Sequence, residues 1–222
     1  MGSSHAPLFS NKKIIMPFPT TNATAELPAI NQILSSCGQA PVTTLDQTNP
    51  DVAIAYDTLL QVSREVQAEG WSFNKEYHYE FSTNTDNEID IPNNILQIKL
   101  TENNQNPEYD GIRRSGRLYD RQHHTYKWKD YDTWECDIVW EFDWVDLPQP
   151  IQDFIVSRAA TIVSGRIIGD PNQHQILQQQ EAYTRALALE YETTQGQYTF
   201  FGHPQGKQNY YQSYQPFQAL QR

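Results

Sequence analysis

The sequence predicts an α+β fold with helices at both ends of the chain and an antiparallel β segment between them. Two changes of period predict it. Apolar residues recur at helical spacing over 24–70 and again over 148–192. Between these stretches, over 71–147, they alternate one in two. A change of composition completes the picture, because 193–222 is rich in Gln, Tyr, Phe, Gly and Pro and almost lacks aliphatic residues. The expected arrangement is a four-helix bundle made of N- and C-terminal helix pairs, with an antiparallel β domain inserted between them and an extended C-terminal arm.

Residues 1–23 read as an irregular leader, with Pro7, Pro17 and Pro19 set against helix. Met16 is a candidate start that leaves residues 1–15 as an upstream addition. The first helix is marked by Leu27, Ile30, Ile33, Leu34 and Cys37, and Gly38 follows where a left-handed cap belongs. Pro28 falls early enough to cost few backbone bonds. The link from Gly38 to Thr48 is long for a helix–helix connection, so Val42 and Leu45 are expected to pack against the helices. Asn49 as N-cap and Pro50 as first helical residue open the second helix. Its stripe is Val52, Ala55, Tyr56, Leu59, Val62 and Val66, and Gly70 ends it.

Strands are expected where Tyr77, Tyr79 and Phe81 alternate, then Leu96, Ile98 and Leu100, then Ile138, Trp140, Phe142 and Trp144. Turns are expected at Asp86-Asn87 and Pro92-Asn93-Asn94, and a hairpin from Leu118 to Trp128 with its connection near Arg121-Gln122. A third helix carries Ile151, Phe154, Ile155, Ala159, Ile162 and Val163. Asp170 and Pro171 cap a fourth, whose buried stripe is expected to be Ile176, Tyr183, Leu187 and Tyr191.

The 222 residues suffice for a sizeable core in one domain or two small ones. The net charge of −11 argues against tight nucleic-acid binding, which relies on neutralising phosphates, and suits a surface that DNA passes without sticking. Cys37 and Cys136 make neither a disulfide framework nor a zinc site and read as small buried hydrophobes. No apolar run approaches the ~20 residues of a membrane span. Aromatics at 12% fit either a β core rich in rings or a surface meant for contact.

Catalytic and metal motifs test poorly. Asp86, Glu88 and Asp90 begin like a calcium loop, but Ile91 stands where that loop needs Gly and Gln97 where it needs Glu. His123 and His124, on a strand, would face opposite sides. Glu135, Asp137, Glu141 and Asp143 are expected on one strand face, a solvated row or channel lining more than a facing glycosidase pair. No catalytic residue, metal or cofactor is expected. Two candidate contact regions stand out. Arg113, Arg114, Arg117, Arg121, Lys127 and Lys129 face a single acid, Asp120, between 113 and 129. They form either a charged edge that resists aggregation or a docking patch for an acidic neighbour. Tyr198, Phe200, Phe201, His203, Tyr210, Tyr211, Tyr214 and Phe217 belong either to an unstructured end or to an arm that folds on a neighbouring subunit.

The order Glu26-Leu27-Pro28-Ala29-Ile30-Asn31-Gln32-Ile33-Leu34, Gly38, Pro41-Val42, Thr44-Leu45, Asn49-Pro50-Asp51-Val52-Ala53 and Gly70-Trp71-Ser72-Phe73-Asn74 resembles the N-terminal half of the tail tubular protein A family, head-to-tail adaptors of short-tailed bacteriophages. Asp146-Leu147-Pro148 to Arg158-Ala159-Ala160 resembles that family's third helix, and Gly116-Arg117-Leu118-Tyr119-Asp120 is a weaker echo. The resemblance implies a structural virion protein in the tail. It implies a twelve-copy ring between portal protein and tail nozzle (tail tubular protein B), with tail fibres nearby. It further implies passage of genomic DNA without sequence-specific binding, and assembly in the host bacterial cytoplasm. The extension before Met16 and the Gln/Tyr-rich end depart from the family pattern. Competing readings are a tail-associated polysaccharide hydrolase using Glu135 or Glu141, and a glycan- or fibre-binding module using exposed Trp and Tyr.

Overall fold

The computed structural model describes residues 23–45, 49–101, 109–128 and 133–196. It has four α-helices and five strands among them: α1 (Ala23–Ser36), α2 (Pro50–Gln67), β1 (Lys75–Ser82), β2 (Ile95–Leu100), β3 (Gly111–Arg114), β4 (Arg117–Asp120), β5 (Thr133–Trp140), α3 (Gln149–Ile167) and α4 (Pro171–Gly196). A short 3₁₀ turn, Trp144–Asp146, precedes α3. The protein is α+β with antiparallel sheets.

Local chemistry sets the helix ends. Gly38 has φ +70°, and Gln39 and Gly38 donate back to the Leu34 and Ser35 carbonyls, closing the left-handed cap the sequence signals. The Asn49 side chain accepts from the Asp51 N–H at 3.0 Å with Pro50 as first helical residue. Asp170 repeats the pattern for α4, accepting from the Asn172 N–H at 3.0 Å. The long link after α1 is tied down where Asn31 exchanges two hydrogen bonds with the Val42 backbone. Val42 and Leu45 pack against the helical core.

α3 is the hub of the helices. It contacts α1, α2 and α4, and Ile151, Phe154, Ile155, Val156, Ala159, Ala160 and Val163 are all buried. Buried hydroxyls on the same helix are satisfied within it: Ser157 donates to the Asp153 carbonyl and Thr161 to the Ser157 carbonyl. Ile30, Ile33 and Leu34 of α1 join the same core, with Ala55, Leu59, Val62 and Val66 of α2. Helices from both ends of the chain thus bury one another. Arg158 of α3 adds an ion pair with Glu65 of α2 at 3.3 Å.

β5 is the central strand of a three-stranded antiparallel sheet, order β1-β5-β2. β3 and β4 form a separate hairpin. Phe81, Ile95, Trp134, Cys136 and Ile138 of the sheet meet Leu118 of the hairpin and Ile89, Ile91 and Trp128 of the connections in a second core. Trp128 is fully buried; its indole N–H donates to the Leu118 carbonyl at 3.0 Å and its ring meets Trp134 edge-on.

Several expectations are corrected. The β5 strand ends at Trp140; Phe142 and Trp144 lie beyond it and pack against the helical core instead. The tight reversal of the hairpin falls at Ser115-Gly116, whose φ values of 52° and 72° are the positive pair that a two-residue hairpin turn requires. Arg121-Gln122 belongs to a second reversal, where Asp120 bridges Thr125. The alternation in β1 is broken by a bulge at His78, which takes Tyr77 off the face that Tyr79 and Phe81 share; on that face Phe81 is buried and Tyr79 is exposed. α4 runs to Gly196, four residues into the stretch assigned to the arm. Its buried residues are Leu177, Thr184, Ala188, Glu192 and Gly196, while Ile176, Tyr183 and Leu187 are exposed. Glu192 is buried because both its oxygens accept from the Ser72 N–H and one also from the Ser72 hydroxyl, at 2.8–3.0 Å.

One buried and one half-buried carboxylic acid, Glu26 and Glu141, have raised pKa values. Burial raises the Glu26 pKa above its ordinary value; the neighbouring Tyr56 hydroxyl opposes the shift and the charge of Asp143 adds to it. Burial likewise raises Glu141, opposed by Arg64 and assisted by Asp143. One Glu26 oxygen has no hydrogen-bond partner among the described residues. A raised folded pKa favours the fold most below the unfolded value of 4.5, and that benefit is lost as pH rises through the folded pKa. Stability should therefore rise as pH falls from neutrality towards 4.5. In denaturant titrations Glu26→Gln should be at least as stable as the parent at pH 7 and should flatten that rise; a large loss at pH 7 would contradict this.

Candidate interaction site

The basic residues singled out by sequence converge on the β3–β4 hairpin and the loop after it, but most of their charge is spent within the fold. Arg113 donates to the Ile95 carbonyl at 2.7 Å and to the Asn93 side chain at 3.0 Å, fastening the hairpin to the start of β2. Arg117 pairs with Glu88 at 2.5 Å and Arg121 with Asp110 at 2.6 Å. Lys127 donates to the Asp86 carbonyl at 3.0 Å and has no carboxylate partner among the described residues. Asp120 turns inward. Burial opposes its ionisation, yet hydrogen bonds from His123 and from the Gln122 and Asp110 backbone N–H groups outweigh that and hold its pKa below the ordinary value.

Arg114 is the exception. It is exposed, and no carboxylate among the described residues pairs with it. Its guanidinium lies over the Tyr119 ring, 4.1 Å from the centroid. Tyr119 meets Tyr126 edge-on at 4.8 Å, and Arg117 lies over Tyr126 at 4.9 Å. The result is a row of guanidinium, ring, ring and guanidinium along one side of the hairpin. Antiparallel pairing of Arg114 with Arg117 and of Ile112 with Tyr119 puts these residues on one face. Sequence reasoning missed Tyr119 and Tyr126 as partners. The signal was there in the two-residue spacing of Arg117 and Tyr119, but it needed the hairpin turn to be placed at Ser115-Gly116.

Lys129 and the terminal residues Tyr198, Phe200, Phe201, His203, Tyr210, Tyr211, Tyr214 and Phe217 lie outside the described residues. His123 and His124 sit in a turn and not on a strand, and His123 hydrogen-bonds Asp120 at 2.5 Å. The expected acidic row is split. Glu135 and Asp137 remain on β5, where they meet His78, Lys99 and Thr101. Glu141 lies past the strand and pairs with Arg64 of α2 at 3.5 Å. Among the described residues no three His, Cys, Asp or Glu side chains are placed to hold a metal ion, and no helix is long and apolar enough to cross a membrane.

A family model described as tail tubular protein matches residues 27–198, which spans α1 to the end of α4. The chain belongs to the tail tubular protein family. A comparison with curated proteins returned no match. This tail tubular protein is therefore a structural protein of the bacteriophage virion tail, from a family that is structural and not enzymatic and that works in oligomeric assembly with other virion proteins.

The division of labour on the hairpin yields a stability prediction. Arg114→Ala should change unfolding free energy by no more than ~0.5 kcal/mol, since an exposed side chain with one ring contact contributes little. Arg113→Ala strands the buried-side Ile95 carbonyl and should cost ~1–3 kcal/mol. Urea denaturation of the two variants checks the contrast; equal losses would contradict it.

Proposed function

We propose that this tail tubular protein is the adaptor that joins portal to tail nozzle. Copies form a closed ring, twelve by the resemblance, that makes part of the DNA ejection channel, with tail fibres attached near its nozzle side. The family match over 27–198 carries this reading, because it takes in both helix pairs and the sheet between them. On this reading 24–70 and 148–192 form one discontinuous helical body. Segment 71–147 is an inserted β domain facing a ring partner, and the residues after α4 form an arm that contacts neighbours.

Two further observations support it. The chain is strongly acidic, which lets DNA slide past it without sequence-specific contact. Against that background the Arg114 side of the hairpin is a local positive surface fitted to an acidic neighbour. The other residues proposed for partner contact are Arg113, Arg117, Arg121, Lys129 and, on the arm, Tyr198, Phe200, Phe201, Tyr210, Tyr211, Tyr214 and Phe217. In a head-to-tail ring such a patch meets a different surface on the next copy, so its charge sets which neighbour docks and in what orientation.

Electron microscopy of the protein mixed with the portal assembly of its own phage tests the proposal. Rings seated on the portal are the expected result, and Arg114→Glu should lower their number by about tenfold without unfolding the protein. Absence of any ring or docking with the parent protein would overturn the adaptor reading.

A further inference from the structure

α4 turns two different faces outward and inward. Leu177, Thr184 and Ala188 are buried, and α3 is the helix they pack against. On an adjoining flank Ile176, Tyr183 and Leu187 are 60%, 65% and 38% exposed. At about 100° per residue these three fall within roughly 40° of one another, along about 17 Å of helix. Single exposed apolar residues need no explanation, but an aligned row on a helix anchored along its other face does.

We propose that this flank is the seat of the chain's own C-terminal segment, residues 207–222, in the unassembled protein. Reach permits it. Ile176 lies about 30 Å back along α4 from Gly196 at 1.5 Å per residue, and an extended segment as long as 197–222 spans roughly 86 Å. The sequence supplies a reversal in the right place, with Gly202, Pro204 and Gly206 just after the helix ends. Beyond it come Tyr210, Tyr211, Tyr214 and Phe217, rings suited to cover Leu187, Tyr183 and Ile176. The polar residues between them are mostly Gln, as is Gln180 within the row.

Charge points the same way. Residues 197–222 carry Lys207 and Arg222 and no Asp or Glu, so every side-chain carboxylate of this acidic protein lies in the remainder. Glu190 is exposed at the edge of the apolar row, towards the end of α4 from which the segment returns. Lys207 leads the returning segment and meets that charge first. Tethering to the same helix raises the effective concentration of the segment far above that of any second copy in dilute solution. The row is thereby covered until an assembly partner displaces the segment. This seat does not depend on which partner the assembled protein meets, so it stands or falls apart from the adaptor reading.

Disulfide trapping in the full chain tests it. The native thiols do not compete: Cys37 and Cys136 are both buried, and burial, helped by Asp137, pushes the Cys136 thiol up to about 12. Two double variants are compared at low micromolar concentration under mild oxidation. One pairs Leu187→Cys with Tyr211→Cys. The other pairs Leu189→Cys with Tyr211→Cys, because Leu189 is exposed at 47% on the opposite flank of the same helix. The first pair should close within one chain at least ~10-fold faster than the second. Adding Tyr210→Ser, Tyr214→Ser and Phe217→Ser to the first pair should remove the advantage. Equal closure of the two pairs, closure only between chains, or an advantage that survives loss of the rings would each overturn the proposal.

Discussion

The side chain of Asn74 joins the two halves of this molecule, and the rest of the fold is arranged around that join. Asn74 is fully buried. Its oxygen accepts from the Trp71 N–H at 2.8 Å, and its amide donates to the Gln67 carbonyl at 2.9 Å and to the Trp140 carbonyl at 2.8 Å. Its own backbone carbonyl accepts from the Trp140 N–H. One residue therefore fixes the end of α2, the turn after it and the end of β5. Gln67 does the same one step further on, exchanging two hydrogen bonds with the Phe142 backbone. Both amides satisfy buried backbone groups that no regular ladder reaches, which is why small polar side chains sit at the centre of an apolar junction.

Fixing the exit of β5 at this point determines where α3 begins, and so permits the helices of the two chain ends to share one core. Trp71 strengthens the same corner, its indole N–H donating to the Val66 carbonyl at 2.7 Å. Glu192 brings in the far end of α4 by gripping Ser72. Buried groups at the corner are committed to holding parts of the chain together. Among the described residues, the exposed chemistry includes the guanidinium–ring row at Arg114 on the hairpin and the apolar flank of α4.

Local features were legible in the sequence because their causes are local. The Gly38 cap, the Asn49-Pro50 and Asp170-Pro171 starts and the α3 stripe each depend on a few neighbouring residues. What the sequence concealed depends on partners far along the chain. Phe142 and Trp144 continue the alternation of β5, yet they belong to the helical core, since period alone does not say which core a ring enters. In α4 apolar residues lie on more than one face, and Glu192 is inside only because Ser72 awaits it. The basic cluster of the candidate site could be seen as composition. Which of its charges remain free could not, because Glu88, Asp110 and the Ile95 carbonyl that consume them come from other segments.

The central claim is that the Asn74 amide holds helices and sheet as a single cooperative body. Equilibrium unfolding of Asn74→Ala, followed in parallel by far-ultraviolet circular dichroism and tryptophan fluorescence, tests it most directly. Losing three buried hydrogen bonds and leaving their partners unsatisfied predicts a drop of about 3 kcal/mol or more, with both probes reporting one shared transition in the parent protein. A loss below ~1 kcal/mol, or parent transitions that separate by probe, would contradict the account.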